Sequence, residues 1–307
     1  MSPARKAANL AASIRARLLN LSQQRKVEFQ LVLSEFAIER LLYRLGASRH
    51  AGRFVLKGAM LFKIWSDDRH RATWDLDLFG QGPNTVVDVV AAIQDLCAVA
   101  ADDGIVFDPS SIKGEEIRAA GEYAGVRVRL EARLAEARIP VQVDVGFGDT
   151  ITPAPVKERY PTLLGHPAPA IFVYPRETVV AEKLEAMISL GITNSRMKDF
   201  YDVQALASSF SFDGQALTRA IRATFQRRGT PFPLTVPLVL THEFLGAPER
   251  QMQWRAFLRR GRLEGPPDAG ELADALRKFL WPALSATARG EYFQGRWLPG
   301  GPWEVPT

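Results

Sequence analysis

Hydrophobic residues recur along the chain with two different periods, which predict helices in some segments and strands in others. Helical spacing runs through residues 7–25 and 28–46, and the second stretch ends at Gly46, a residue type that commonly stops a helix. Strict alternation of apolar and polar residues over 123–134 and 138–149 instead predicts a hairpin of two half-exposed strands. The first half of the chain is therefore predicted to be α/β or α+β.

The second half has a different pattern. Proline is dense and periodicity lapses over residues 150–175, which places a domain boundary near residue 170 and predicts domains 1–170 and 171–307. Beyond it, clear helical spacing marks the segments 177–191, 195–210 and 213–228. The second domain is thus predicted to be mainly helical. The last segment, 295–307, is rich in Gly, Pro and Trp and is predicted to lie over the surface as an extended strap.

Composition narrows the class of protein without naming a function. The chain has 307 residues, of which 47% are hydrophobic and 24% charged, as in ordinary globular proteins. No apolar run reaches the roughly 20 residues that span a bilayer. A single cysteine, Cys97, permits no internal disulfide, so we expect a cytoplasmic protein. The net charge of +5 is compatible with a polyanionic partner but does not require one.

Two aspartates interrupt an apolar strand in the stretch RATWDLDLFG, residues 71–80. Successive side chains of a strand point to opposite faces, so Asp75 and Asp77 share one face. Two like charges side by side destabilise a strand unless something positive lies between them. Either this end of the strand is open to water, or a divalent cation binds there.

A third carboxylate, Asp144, stands in the second strand of the predicted hairpin, opposite a face of valines. If that strand neighbours the one that carries Asp75 and Asp77, three carboxylates converge at one edge of the sheet. Such a group suits Mg²⁺, which takes oxygen ligands, and two ions about 3.5–4 Å apart can hold the attacking and leaving oxygens of an in-line displacement. Upstream, Gly58 and Ala59 precede a predicted helix, where backbone N–H groups can bind phosphate.

Lys183 lies at the margin of the apolar stripe of the helix predicted over 177–191. It is either a lysine whose stem packs while its ammonium reaches water, or a cation directed at a triphosphate. On the following helix, Asp199 falls inside the apolar sector and Asp202 at its border, so Asp199 ranks first for function. Buried carboxylates are rare unless paired, and Lys183 or Arg196 is the candidate partner. A salt bridge that merely ties the two helices together is the alternative.

Four motifs in this order resemble the AbiEii family of nucleotidyltransferase toxins, which belong to type IV toxin–antitoxin and abortive-infection systems. They are KGAMLF with RATWDLDLFG, VQVDVGFGD, ETVVAEKLEAM and NSRMKDFYDV, and the resemblance spans about residues 30–230. It implies metal ligation by Asp75, Asp77 and Asp144. It implies catalytic roles for Asp75, Asp77, Lys183 and Asp199. The nucleotide-binding residues that it implies are Lys57, Gly58, Ala59, Arg71, Thr73, Lys183 and Arg196.

The resemblance also implies an architecture and a reaction. The expected fold is a polymerase-β-type nucleotidyltransferase lobe with a mixed sheet, followed by a helical lobe that completes a cleft. The expected cofactor is Mg²⁺, with Mn²⁺ as the alternative, and the expected substrate is a nucleoside triphosphate. The expected acceptor is the 3′ end of tRNA, and the expected protein partner is an AbiEi-like antitoxin. No membrane association is expected, and a monomer is the default.

One departure from the family pattern concerns Gly58 and Ala59, where members often have Gly-Gly or Gly-Ser. Ala59 offers a backbone N–H but no hydroxyl, and the spacer of 15 residues before Asp75 is slightly long. Neither change removes a metal ligand. Two alternatives stay open: transfer to a protein side chain or a small molecule, and a catalytically silent nucleotide-binding protein in which the aspartates form a solvated sheet edge.

Overall fold

The computed structural model describes residues 3–66, 70–118 and 124–306. The chain divides into two compact units, one built from residues up to 148 with 156–173, the other from 149–155 with 174–307. Within the second unit, the backbone of Thr152 exchanges two hydrogen bonds with the hydroxyl of Thr178, at 3.0 and 2.8 Å. The hydrophobic pattern does not predict that residues 149–155 belong to the second unit.

The first unit contains long helices at its beginning, as helical spacing predicts. The α-helices of its described part are α1 (Pro3–Arg25), α2 (Phe29–Ala47), α3 (Phe62–Trp65) and α4 (Val86–Ala98). Most of α2 is buried, including Leu33, Phe36 and Leu41 of its apolar stripe. A 3₁₀ helix, Gly58–Leu61, leads directly into α3.

Buried charges on α2 form an ionic cluster that periodicity does not predict. Arg40 Nε lies 2.9 Å from Asp103 Oδ2, and Arg44 donates to both oxygens of Asp103 at 2.7 and 3.0 Å. Glu39 accepts from the backbone N–H of Leu163 at 2.7 Å. Because Glu39 is only 1% exposed, burial raises the pKa of its carboxyl group.

A mixed sheet forms the rest of the first unit. Its strands are β1 (Phe54–Lys57), β2 (Asp75–Gly80), β3 (Ile105–Arg118), β4 (Ala124–Leu134), β5 (Ala137–Phe147), β6 (Val156–Arg159) and β7 (Ala170–Val173). In the described chain these seven pair in the order β3-β4-β5-β2-β1-β7-β6. The hairpin of β4 and β5 is antiparallel, as predicted, while β2 lies parallel to β5 and antiparallel to β1. The predicted mixed α/β fold is confirmed.

The second unit is mainly helical, as predicted. Its α-helices are α5 (Arg176–Leu190), α6 (Met197–Ser209), α7 (Gly214–Arg228), α8 (His242–Leu245), α9 (Pro248–Gly261) and α10 (Ala269–Ala288). Three two-residue strands form a small sheet: β8 (Phe212–Asp213), β9 (Arg296–Trp297) and β10 (Trp303–Glu304).

The C-terminal segment lies along the helices of this unit, which agrees with the predicted strap. Trp297 donates its indole N–H to the carbonyl oxygen of Ala207 at 2.7 Å, and Trp303 donates to that of Phe279 at 3.0 Å. Trp297 is buried and Trp303 half-buried, and the two hydrogen bonds fix the segment in place. Among the described residues, no helix has both the length and the hydropathy needed to cross a membrane.

Candidate active site

Asp75 and Asp77 occupy alternate positions of β2 and are both half-buried, whereas Leu76 and Leu78 are buried. Alternation along a strand puts the two carboxylates on one face and the leucines on the other. The strand thus has one face in the core and a second face that carries two acidic side chains at the strand's beginning.

Strand pairing sets a row of charged residues beside Asp77. In the parallel register of β2 and β5, Asp77 is the partner of Asp144, and Asp75 is the partner of Gln142. On the other side, the antiparallel register of β1 and β2 pairs Asp77 with Lys57. Paired residues of adjacent strands have side chains on the same face, so Lys57, Asp77 and Asp144 follow one another across the sheet.

Gly58 follows Lys57 with φ +76°, a conformation that L side chains rarely adopt. A Cβ at this position would overlap the Asp77 carboxylate and would lie 2.9 Å from Asp77 Cβ. The absence of a side chain at position 58 therefore lets the backbone pass directly beside Asp77. The helix predicted here from sequence begins at Gly58 itself.

The other residues predicted to bind nucleotide in this unit lie around the same strands. Ala59 is in the 3₁₀ helix and is 5% exposed. Thr73 donates its hydroxyl to the carbonyl oxygen of Asp75, at 3.4 Å. Arg71 is half-buried ahead of β2. Their roles in nucleotide binding stay predictions.

Asp144 forms an ion pair with Arg127, a residue that was not among the site residues predicted from the sequence. Arg127 on β4 is its cross-strand partner and donates Nε to Asp144 Oδ1 at 2.8 Å and Nη2 to Oδ2 at 2.7 Å. The bidentate contact raises the pKa of Arg127, mainly through its hydrogen bond to Asp144. The pairing of a strand with its neighbour depends on tertiary structure, which is why the sequence did not reveal this partner.

Asp75, Asp77 and Asp144 lie on one face of two neighbouring strands, as the predicted convergence requires, and their ligation of a metal stays a prediction. Within the described residues, no group of three or more His, Cys, Asp or Glu side chains is placed to hold a metal ion. At Asp144, Arg127 contacts both carboxylate oxygens. Asp75 and Asp77 remain the candidate ligand pair.

In the second unit, Lys183 of α5 lies between two buried aspartates of α6. Its ammonium nitrogen is 2.8 Å from Asp199 Oδ1 and 2.7 Å from Asp202 Oδ2. Arg196, at the beginning of α6, places Nε 3.1 Å from Asp199 Oδ2. The salt bridge between two helices, which was the structural alternative for these residues, is therefore present. A contact of Lys183 with phosphate stays a prediction.

Asp202 was ranked below Asp199 because it falls at the border of the apolar sector. In the structure it is 0% exposed, against 3% for Asp199, and it contacts the same lysine. A helical projection treats one helix alone, whereas here the neighbouring α5 covers the border as well. The two aspartates thus form one acidic pair around Lys183.

A further charged cluster in the second unit was not predicted. Arg228, at the end of α7, lies 2.6 Å from Glu185, 3.0 Å from Asp149 and 3.7 Å from Glu182. Its acidic neighbours, together with its hydrogen bond to Glu185, raise the pKa of this arginine despite its burial. The cluster connects α5, α7 and the segment 149–155, so we assign it a structural role.

Helix α9 carries a group of exposed arginines. Trp254 is buried on one side of the helix and donates to the carbonyl oxygen of Pro266 at 2.7 Å. Exposed arginines lie on α9 and just beyond it: Arg255, Arg259, Arg260 and Arg262. In the part of the chain that is described, none of these four has a carboxylate within 4.0 Å. Arg255 and Arg259 line a cavity of about 590 Å³.

Comparison with known families decides the assignment. The family model described as nucleotidyl transferase AbiEii toxin, type IV toxin–antitoxin system, matches residues 40–281. The chain belongs to this AbiEii family. The match covers both units, including β1, β2, β5, α5 and α6. The resemblance inferred from the four sequence motifs is confirmed.

Two solved structures are distantly similar to this AbiEii chain. JHP933 from Helicobacter pylori is 14% identical, with TM-score 0.45 over 85% of this chain and 91% of that chain. A second H. pylori structure, of a candidate nucleotidyltransferase, is 14% identical, with TM-score 0.44 over 86% and 95%. No curated protein matches. The assignment rests on the family model.

Proposed function

We propose that this AbiEii chain is a Mg²⁺-dependent nucleotidyltransferase that modifies the 3′ end of tRNA. The observation that carries the proposal is the pair of carboxylates, Asp75 and Asp77, on one face of β2 with the backbone of Gly58 directly beside Asp77. Family membership gives the reaction class. The carboxylate pair gives the oxygen ligands that Mg²⁺ prefers.

In the proposed reaction, the hydroxyl oxygen of the acceptor forms a bond to the α-phosphorus of a nucleoside triphosphate. The bond from that phosphorus to the oxygen bridging to the β-phosphate breaks, and pyrophosphate leaves with its electron pair. The hydroxyl proton passes to a carboxylate of the site or to water. Bound Mg²⁺ would neutralise charge on the phosphate oxygens. The protein contributes mainly by positioning, since there is little covalent chemistry for it to perform.

The donor set fits Mg²⁺ as a two-carboxylate site. Mg²⁺ is commonly held by one or two carboxylates together with substrate phosphates and water. Asp75 and Asp77 are half-buried on a strand whose backbone is fixed in the sheet between β1 and β5. At Asp144 the positive charge of Arg127, which contacts both carboxylate oxygens, opposes a third metal ligand. Mn²⁺, which accepts similar ligands, is the alternative ion.

The acceptor is proposed from charge as well as from the family. The exposed arginines on and just beyond α9 provide positive charge, and within the described chain none of them has a carboxylate within 4.0 Å. Such a surface attracts the phosphate backbone of RNA. Because the family is one of type IV toxin–antitoxin toxins, we also propose an AbiEi-like antitoxin as partner.

The experiment that tests the proposal is a transfer assay on the purified chain with Mg²⁺, total tRNA and each α-labelled nucleoside triphosphate in turn. Asp75→Asn and Asp77→Asn are compared with Asp274→Asn, which removes an exposed carboxylate paired with Arg277. We expect label in the tRNA band, lost in the first two variants and in excess chelator, and kept in the third.

Label on added protein or on a small molecule in place of tRNA would identify that class of molecule as the acceptor. No transfer to any acceptor, with no metal-dependent binding of nucleotide by calorimetry, would favour the catalytically silent protein. Transfer at the wild-type rate by Asp77→Asn would contradict the proposed role of the carboxylate pair.

A further inference from the structure

The charged row across the sheet continues beyond the candidate metal ligands. Asp77 of β2 pairs with Asp144 of β5, Asp144 with Arg127 of β4, and Arg127 with Glu115 of β3. The two aspartates are direct neighbours, and the arginine stands on the far side of Asp144. The row therefore alternates in sign everywhere except between Asp77 and Asp144, where two carboxylates are adjacent.

Adjacent carboxylates need a positive charge close by. Neighbouring strands lie about 4.8 Å apart, so the negative charges of Asp77 and Asp144 repel each other unless a cation compensates them. Arg127 provides that cation at Asp144 through two hydrogen bonds of 2.8 and 2.7 Å. A planar guanidinium matches a carboxylate in this bidentate geometry better than an ammonium does.

The same contact opposes the binding of a metal at Asp144. A divalent cation shared by Asp77 and Asp144 would be close to the guanidinium, and the two positive charges would repel each other. The guanidinium also takes one lone pair of each oxygen and so lowers the negative charge that Asp144 can offer a metal. Metal ligation by Asp144 and its pairing with Arg127 are therefore alternatives.

From this row we infer that Arg127 is an internal cation that occupies Asp144 and competes with the divalent ion for it. Asp144 becomes a ligand beside Asp75 and Asp77 only when Arg127 moves away. Arg127 is in this sense a positioning residue that limits metal loading of the protein before substrate binds. The inference rests on the proposed metal dependence of the Asp75 and Asp77 site.

Arg127 has room to move and a carboxylate to move towards. Its side chain is 29% exposed, so it is not enclosed by the core. Glu115, its cross-strand partner on the side away from Asp144, is 51% exposed and already attracts Arg127 electrostatically. Glu115 now pairs with Arg129 at 2.7 Å, and a carboxylate can accept from two arginines.

The test measures Mn²⁺ binding by electron paramagnetic resonance, on the full chain without nucleotide or acceptor, so that no catalytic step is involved. Arg127→Gln is compared with Arg129→Gln, which lies two residues along the same strand and pairs with Glu115. Asp144→Asn is made in the wild-type and in the Arg127→Gln background. Thermal unfolding of each variant checks that it is folded, and Arg127→Lys keeps the charge without the bidentate geometry.

We expect Arg127→Gln to bind Mn²⁺ about tenfold more tightly than the wild type, the change in affinity that the loss of one competing charged hydrogen-bonded pair allows. Arg129→Gln should bind as the wild type does, and Arg127→Lys should fall between. Asp144→Asn should cancel the gain in the Arg127→Gln background and change the wild-type affinity less than about twofold.

The inference is overturned if Arg127→Gln binds Mn²⁺ no more tightly than Arg129→Gln. It is also overturned if Asp144→Asn weakens binding equally in both backgrounds, because Asp144 would then already be a ligand beside Arg127. Either result leaves the proposed site intact as long as Asp77→Asn abolishes Mn²⁺ binding. If no variant binds Mn²⁺, both the inference and the proposed metal dependence fail.

Discussion

The backbone of Gly58 and the carboxylate of Asp77 share a space that cannot hold another atom. A Cβ on residue 58 would lie 2.9 Å from Asp77 Cβ and would overlap the carboxylate. We therefore expect Gly58→Ala to displace Asp77 and to lower nucleotide transfer by about 10²-fold, the loss that a misplacement of 1 Å can cause. Stability should also fall, by about 1–2 kcal/mol, because alanine is strained at positive φ.

Gly82 offers a matched control for this prediction. It has φ +81°, close to the +76° of Gly58, but a Cβ there would meet no atom within 4 Å. Gly82→Ala should therefore show a similar cost of backbone strain in urea unfolding and should keep its transfer activity. Equal activity in the two variants would mean that Asp77 is not held in place by Gly58.

Much of the first unit could be predicted from its hydrophobic pattern. Alternation placed Val143 in the core and Asp144 on the opposite face, and the hairpin of β4 and β5 followed from two alternating segments. Such period-two patterns report local geometry directly. The same rule predicts that Asp75 and Asp77 lie on one face of β2.

The contacts between charged residues were harder to predict, because they join residues distant in sequence. The partnership of Arg127 with Asp144 depends on strand register, and that of Arg40 with Asp103 on the packing of α2. A hydrophobic pattern describes one element at a time and does not show which charged residues of two elements meet. The burial of Asp202 was underestimated because the projection of α6 alone does not include the neighbouring α5.

Lys183 is predicted to stabilise the second unit strongly. Lys183→Met removes the cation that lies within 2.8 Å of both Asp199 and Asp202, which are almost completely buried. Breaking a buried ion pair on one side costs about 3–5 kcal/mol. The free energy of unfolding in urea should fall by that amount, whereas Arg277→Met, at an exposed pair with Asp274, should cost under about 1 kcal/mol.

A triple variant separates this structural role from the phosphate contact that the family resemblance implies. Replacing Lys183 with Met and both aspartates with Asn removes all three charges together, which often restores stability. If Lys183 contacts phosphate, the triple variant should be folded and inactive in the transfer assay. A folded and active triple variant would limit Lys183 to a structural role.

Glu39 is predicted to make stability depend on pH. Burial raises the pKa of Glu39 above its ordinary value of 4.5, so the folded chain keeps a proton that the unfolded chain has lost. The contribution of Glu39 to stability is therefore largest below pH 4.5, and it falls as pH rises through the folded-state pKa of Glu39. Glu39→Gln cannot ionise, so its stability relative to the wild type should rise with pH over this window.

The measurement is urea unfolding of both proteins at several pH values between about 4.5 and 7.5. The expected slope is at most about 1.4 kcal/mol per pH unit, the value for one proton. Glu291→Gln, at an exposed glutamate paired with Arg289, controls for the substitution itself. A difference between Glu39→Gln and the wild type that stays constant with pH would contradict the prediction.

The arginines of α9 are predicted to contact the phosphate backbone of the acceptor. Arg255 and Arg259 are one helical turn apart and line the same cavity, so one nucleic-acid strand can reach both. Each phosphate contact releases counterions, and the affinity for tRNA then falls with salt. The double change of both residues to Gln should weaken tRNA binding and flatten the slope of log K against log salt by about 1.5.

The matched control changes Arg277 and Arg289, which pair with Asp274 and Glu291. It removes the same charge from the protein, so an equal flattening in the control would show that net charge, not α9, attracts the tRNA.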